Sequence, residues 1–121
     1  MSTINKGEVA VVLDGAERTL KPSLQAYNTL GSRFESQGEL LGKIAAGNLP
    51  AVISVLRFGL GMSDAEAKKL PELVMKTGLY SLREPVSEFV FKLFNGGKSA
   101  EEVMSELNAE SGTEDENPLV A

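Results

Sequence analysis

The chain has 121 residues, with 17 acidic and 12 basic side chains, a formal charge of −5, and neither Cys nor His. That length is one domain's worth and can bury a core without staples. The missing Cys excludes disulfides, thiolate metal sites and a Cys nucleophile. The missing His removes the commonest general base and the commonest transition-metal ligand.

The charge is uneven. Residues 110–121 hold Glu110, Glu114, Asp115 and Glu116 and no Lys or Arg, which leaves thirteen acids against twelve bases elsewhere. A near-neutral body lacks the basic face that nucleic-acid binding needs. No apolar run follows Met1 and no stretch reaches spanning length, so neither a signal peptide nor a membrane span is expected. A cytoplasmic protein fits this composition.

Residues 1–7, MSTINKG, read as a flexible lead-in. Glu8 to Leu13 is rich in β-branched residues, Asp14-Gly15 follows, and Ala16 to Lys21 comes next. Asp-Gly between two such runs predicts a hairpin, because both turn positions need positive φ. In that register Val9, Val11 and Leu13 share a face with Ala16 and Leu20, while Glu17, Thr19 and Lys21 point away. A lone hairpin is marginal in water, so its apolar face must cover helices or meet another chain.

Pro22-Ser23 opens a helix in which Leu24, Tyr27, Leu30 and Phe34 approximate helical spacing. Residues 36–46 read as a second, short helix with Leu40, Leu41 and Ile44 inward and Gly47 as its stop. Asn48 to Leu60, NLPAVISVLRFGL, is the centre of the fold. Asn48 can cap it, and Pro50 sits in the first turn, where a missing N–H costs little. Its side chains are apolar nearly all round, with Ser54 and Arg57 as a narrow polar notch. Such a helix is a buried one. Gly59 and Gly61 are expected to end it.

Ser63 and Glu66 fit a capping box, and Pro71 breaks the segment that follows, with Leu73 and Val74 inward and Gly78 closing it. Ser81 to Asn95 is the second strong helix. Ser81 and Glu84 again match a capping box, with Pro85 near the start. Val86, Phe89, Val90, Leu93 and Phe94 form one apolar face, Phe91 falls off it, and Gly96-Gly97 stops the helix. Ser99 to Asn108 is a last short helix, with Ser99 and Glu102 as a third box and Val103, Met104 and Leu107 on one side. Residues 110–121 are expected to be a disordered acidic tail.

Candidate chemistry is sparse. Glu84 and Glu88 are four apart, and two carboxylates on one face could serve acid–base work or a metal. A solvated face, with Glu88 reaching Lys92, explains them better. Glu114-Asp115-Glu116 lacks the alternation of an EF-hand loop, and the Gly pairs lack phosphate-loop spacing. No cofactor or metal site is expected. Surface features are more informative. Phe91 off its helix face, Phe58 on the flank of the central helix and Arg57 in its notch are the candidate protein-binding residues. The hairpin offers an open edge for another strand, which also allows a homo-oligomer.

The run GEVAVVLDGAERTLKPSL, the segment LLGKIAAGN, the helix end RFGLG and the segment GLYSLREPVSEFVFKLFNGG together resemble a family of small phage and prophage proteins. These are the gene-transfer-agent tail proteins, labelled tail tube proteins or tail assembly chaperones. The resemblance runs from about Lys6 to about Gly97. It implies no catalytic residues. It implies a role in holding the long helical tape-measure protein soluble, in the host cytoplasm, until the tail tube polymerises around it. The acidic tail lies outside the matching pattern.

The expectation is therefore one α+β domain over residues 8–109, an N-terminal β-hairpin packed on about five or six short helices. The expected function is a non-enzymatic tail assembly chaperone that binds an apolar helical client. The alternative is a structural subunit of the tail tube or its terminator. A small hydrolase is disfavoured by the absence of His and Cys.

Overall fold

A computed structural model of the protein describes residues 6–114. The fold is α+β: a two-stranded antiparallel hairpin followed by helices. The strands are β1 (Val9–Leu13) and β2 (Ala16–Leu20). Among the described residues the helices are α1 (Leu24–Arg33), α2 (Gln37–Ala45), α3 (Leu49–Leu60), α4 (Asp64–Ala67), α5 (Leu70–Thr77), α6 (Leu79–Phe94) and α7 (Ala100–Glu114). The single turn α4 brings the number to seven, above the expected five or six.

The hairpin has the expected register. Leu13 pairs with Ala16 and Val9 with Leu20, across a turn in which Asp14 and Gly15 take φ of 51° and 83°. Val9, Val11, Leu13 and Leu20 are buried, while Ala16 at the tip is exposed. The tip is tied down by Asp14, whose backbone N–H donates to Thr77 Oγ1 at 2.6 Å. Gly7 is already buried, so the packed body begins before Glu8.

The helix α3 lies at the centre, as its composition implies. Ala51, Val52, Val55, Leu56 and Gly59 are buried, and α3 touches α1, α2, α5, α6 and β2. Asn48 Oδ1 accepts from the Ala51 N–H at 3.0 Å, and Gly61 ends the helix at φ 67°. Gly59 is not a stop. It is a buried helical residue whose carbonyl accepts from the Lys21 N–H at 2.8 Å. The core is one cluster that also takes Leu30, Leu40, Ile44, Leu70, Val74, Leu82, Val86, Phe89 and Val90. Among the described residues no polar or charged side chain is buried with it.

Three further expectations need correction. In α1 the inward residues are Ala26 and Leu30, not the whole expected stripe: Leu24 is 75% exposed, and Tyr27 lies at the edge against Phe94, ring centroids 5.2 Å apart. Ser23 Oγ caps α1 by accepting from the Ala26 N–H at 3.0 Å, and the small Ala26 takes a fully buried position in the first turn. The helix α6 begins at Leu79 after Gly78, so Ser81 and Glu84 form no capping box. Ser81 Oγ instead donates back to the Gly78 carbonyl at 3.1 Å, and Pro85 is an interior residue. Finally, α7 runs through Glu114 instead of stopping near Asn108, so residues 110–114 of the expected tail are helical. The remainder of that tail, 115–121, and residues 1–5 of the expected lead-in lie outside the described residues.

No single helix among the described residues is long and apolar enough to cross a membrane. Together α2 and α3 reach that length, but they bend by 116° at Ala46–Asn48.

Candidate functional site

Helices α2 and α6 run antiparallel along a shared seam, as two contacts at its ends show. At one end the Asn95 Nδ2 donates to Gln37 Oε1 at 2.8 Å and to the Phe91 carbonyl at 2.7 Å. At the other end Leu79 lies against Gly47, just past α2. Leu40 and Ile44 of α2 and Val86 and Val90 of α6 face the core. The next stripe outward on each helix therefore faces solvent across the seam.

That outer stripe forms a trough. Tyr80, Glu84, Ser87 and Phe91 come from α6, and Leu41 and Ala45 from α2. These are spacings of three and four residues, one face of each helix. Two depressions of about 480 and about 310 Å³ adjoin there and share Glu84 and Ser87. Tyr80 marks one end and is 80% exposed, with the Arg83 guanidinium 5.0 Å above its ring. Phe91 and Leu41 mark the other, closed by Ala100 at the start of α7. From Tyr80 to Phe91 the trough is roughly 16 Å long at the rise of an α-helix, about three turns.

The three residues expected at a binding surface are not brought together. Phe91 is half-buried; it forms a wall of the trough and is not packed into the main core. Phe58 packs against the core instead, with the Arg33 and Arg57 guanidinia each 5.2 Å from its ring centroid. Arg57 pairs with the exposed Asp64, and its Nε is buried without a hydrogen-bond partner. Arg57 and Phe58 thus belong to the packing of α3 against α1 and α4. Two contributors were not anticipated. Tyr80 falls before the expected start of α6, and the partnership of α2 with α6 has no local signal in the chain.

Glu88 pairs with Lys92 at 3.0 Å, as its spacing predicts. Among the described residues no group of three or more acids is placed to hold a metal ion. Beyond the trough, α7 leaves Met104 and Leu107 55% and 51% exposed. Comparison with protein-family models, with curated proteins and with solved structures finds no match to this chain.

Proposed function

We propose that the protein is a non-enzymatic tail assembly chaperone of a phage or prophage. Its client is an apolar helical segment of the tape-measure protein, held in the host cytoplasm without a cofactor. The observation that carries this reading is the α2/α6 trough, apolar at its Leu41–Phe91 end, where Phe91 lies outside the core cluster, and mixed at its Tyr80 end, where Arg83 and Glu84 join Ala45. A trough about three turns long suits helix-in-groove recognition, in which a client presents residues at i, i+3, i+4 and i+7. Aromatics at the ends of such a groove, here the exposed Tyr80 and the half-buried Phe91, are the kind of side chain that becomes an interface anchor. The resemblance of the sequence to gene-transfer-agent tail proteins is what supports the tape-measure protein as that client.

The experiment is co-expression with the tape-measure protein, scoring how much of the client stays soluble. Wild type should keep it soluble, and Tyr80→Ala with Phe91→Ala should not. A client equally soluble with and without the protein would overturn the reading.

A second reading, a structural subunit of the tail tube, is favoured by a different observation. The outer edge of β1 has no strand neighbour among the described residues, and Ala10 and Val12 on that strand are exposed. An edge of that kind can pair with a strand of another copy. Rings or filaments of the purified protein would support it.

A further inference from the structure

We infer that the helix seated in the α2/α6 trough carries a basic residue within its apolar stripe, and that Glu84 selects it. This rests on the trough being the client site and goes beyond it by fixing the client's charge pattern.

Glu84 is shared by both depressions, so it stands at the middle of the trough. It makes no hydrogen bond or ion pair among the described residues, although it is the one acid of the trough's centre. The nearby cations are engaged with other groups. Arg83 lines the first depression beside Glu84, but its guanidinium lies over the Tyr80 ring at that end and makes no ion pair with Glu84 among the described residues. Lys92 is taken by Glu88, and Lys98 by Glu106. Lys43 of α2 lines neither depression. One turn on from Glu84 the neighbour is Glu88, a like charge.

An apolar helix laid over this point would strip water from an unpaired carboxylate, which is costly. A Lys or Arg there would supply the missing charge while its aliphatic stem packs on Leu41 and Phe91. Charges placed this way decide partner and register more than raw affinity. The same carboxylate works against the chain's own α7 as occupant. That helix surrounds Val103, Met104 and Leu107 with Glu101, Glu102 and Glu106.

The test uses synthetic amphipathic helices of about 18 residues, long enough to span the trough. They share one leucine stripe and differ at a single central position, Lys or Glu. Binding is read by fluorescence anisotropy, at low and at high salt. Wild type should bind the Lys peptide about five- to tenfold tighter than the Glu peptide, with the gap narrowing at high salt. Glu84→Gln should level the two, and Glu84→Lys should reverse their order. Because Glu84 is exposed, both variants should melt with the wild type. Equal binding of the two peptides by wild type, or an order that survives Glu84→Lys, overturns the role of Glu84 and leaves the trough as a docking site. Failure of wild type to bind either peptide overturns the docking site, and this inference with it.

Discussion

Gly59 and Leu20 are in such close contact that a Cβ on Gly59 would stand 2.8 Å from Leu20 Cδ2. It would also stand 3.2 Å from Phe89 Cε2, and both neighbours are fully buried. The helix α3 therefore meets the hairpin backbone to side chain, with the Lys21 N–H to Gly59 carbonyl bond closing the contact. At this residue the central helix approaches both the sheet and α6 at once.

Gly59→Ala is a sharp test of that contact. Ala is the better helix former by about 1 kcal/mol, so a loosely packed site would gain stability. Overpacking a core costs about 1–3 kcal/mol, and neither Leu20 nor Phe89 has space to withdraw. The variant should lose stability, read as a lower denaturant midpoint at unchanged slope. A midpoint at or above wild type would mean the hairpin yields.

Phe58 should behave as a packing residue. Its ring carries two guanidinia and contacts the core cluster. Phe58→Ala should cost about 2–4 kcal/mol, somewhat under the range for a fully buried Phe. Once refolded at a permissive temperature, it should still bind client. Loss of binding with intact stability would return Phe58 to the interface.

Much of this was legible from local pattern. Asp14-Gly15 set the hairpin register, because positive φ at two successive positions admits few residues. The uniform apolarity of α3 placed it at the centre. Ser63 with Glu66 and Ser99 with Glu102 form the reciprocal cap bonds their spacing implied. Ser81 with Glu84 has the same spacing and forms none, because Gly78 supplies an earlier break and Leu79 and Leu82 continue the apolar stripe of α6. The trough was only half legible. Phe91 stood out by falling off its helix face, but its neighbours Leu41 and Ala45 lie on α2, far away in the chain. Long-range pairing of two helices is decided by how all the apolar faces fit together, which no short window contains.

The two formed capping boxes predict a pH response. The backbone N–H of Ser63 holds the Glu66 carboxyl below its ordinary value of 4.5, helped by the Ser63 hydroxyl. The Ser99 N–H does the same for Glu102. A depressed folded-state pKa adds stability that is present above the ordinary value and is lost as pH falls through the lowered one. The N-termini of α4 and α7 should therefore fray in acid, below about pH 4.5. Amide exchange at Ser63 and Ser99 should speed up there, beyond the change in intrinsic rate. Glu66→Gln and Glu102→Gln should each remove that acid step at their own serine.

Asn95 should matter for the seam more than for the core. Its side-chain amide ties the last turn of α6 to the first residue of α2. Asn95→Ala removes both bonds and should cost about 1–2 kcal/mol, including the acceptors left without a partner. Client binding should fall as well, since the Phe91 end of the trough loses its fixed width. A variant that binds client as tightly as wild type would show that the seam is held by packing alone.

The proposed seat of a helical client runs along α2 and α6. The most direct measurement is the client's footprint: hydrogen exchange of the protein with and without the tape-measure client bound. Exchange should slow along Leu41–Ala45 and Tyr80–Phe91, with β1 unchanged. Protection concentrated on Ala10 and Val12 at the open strand edge, with none along the α2/α6 seam, would contradict that seat.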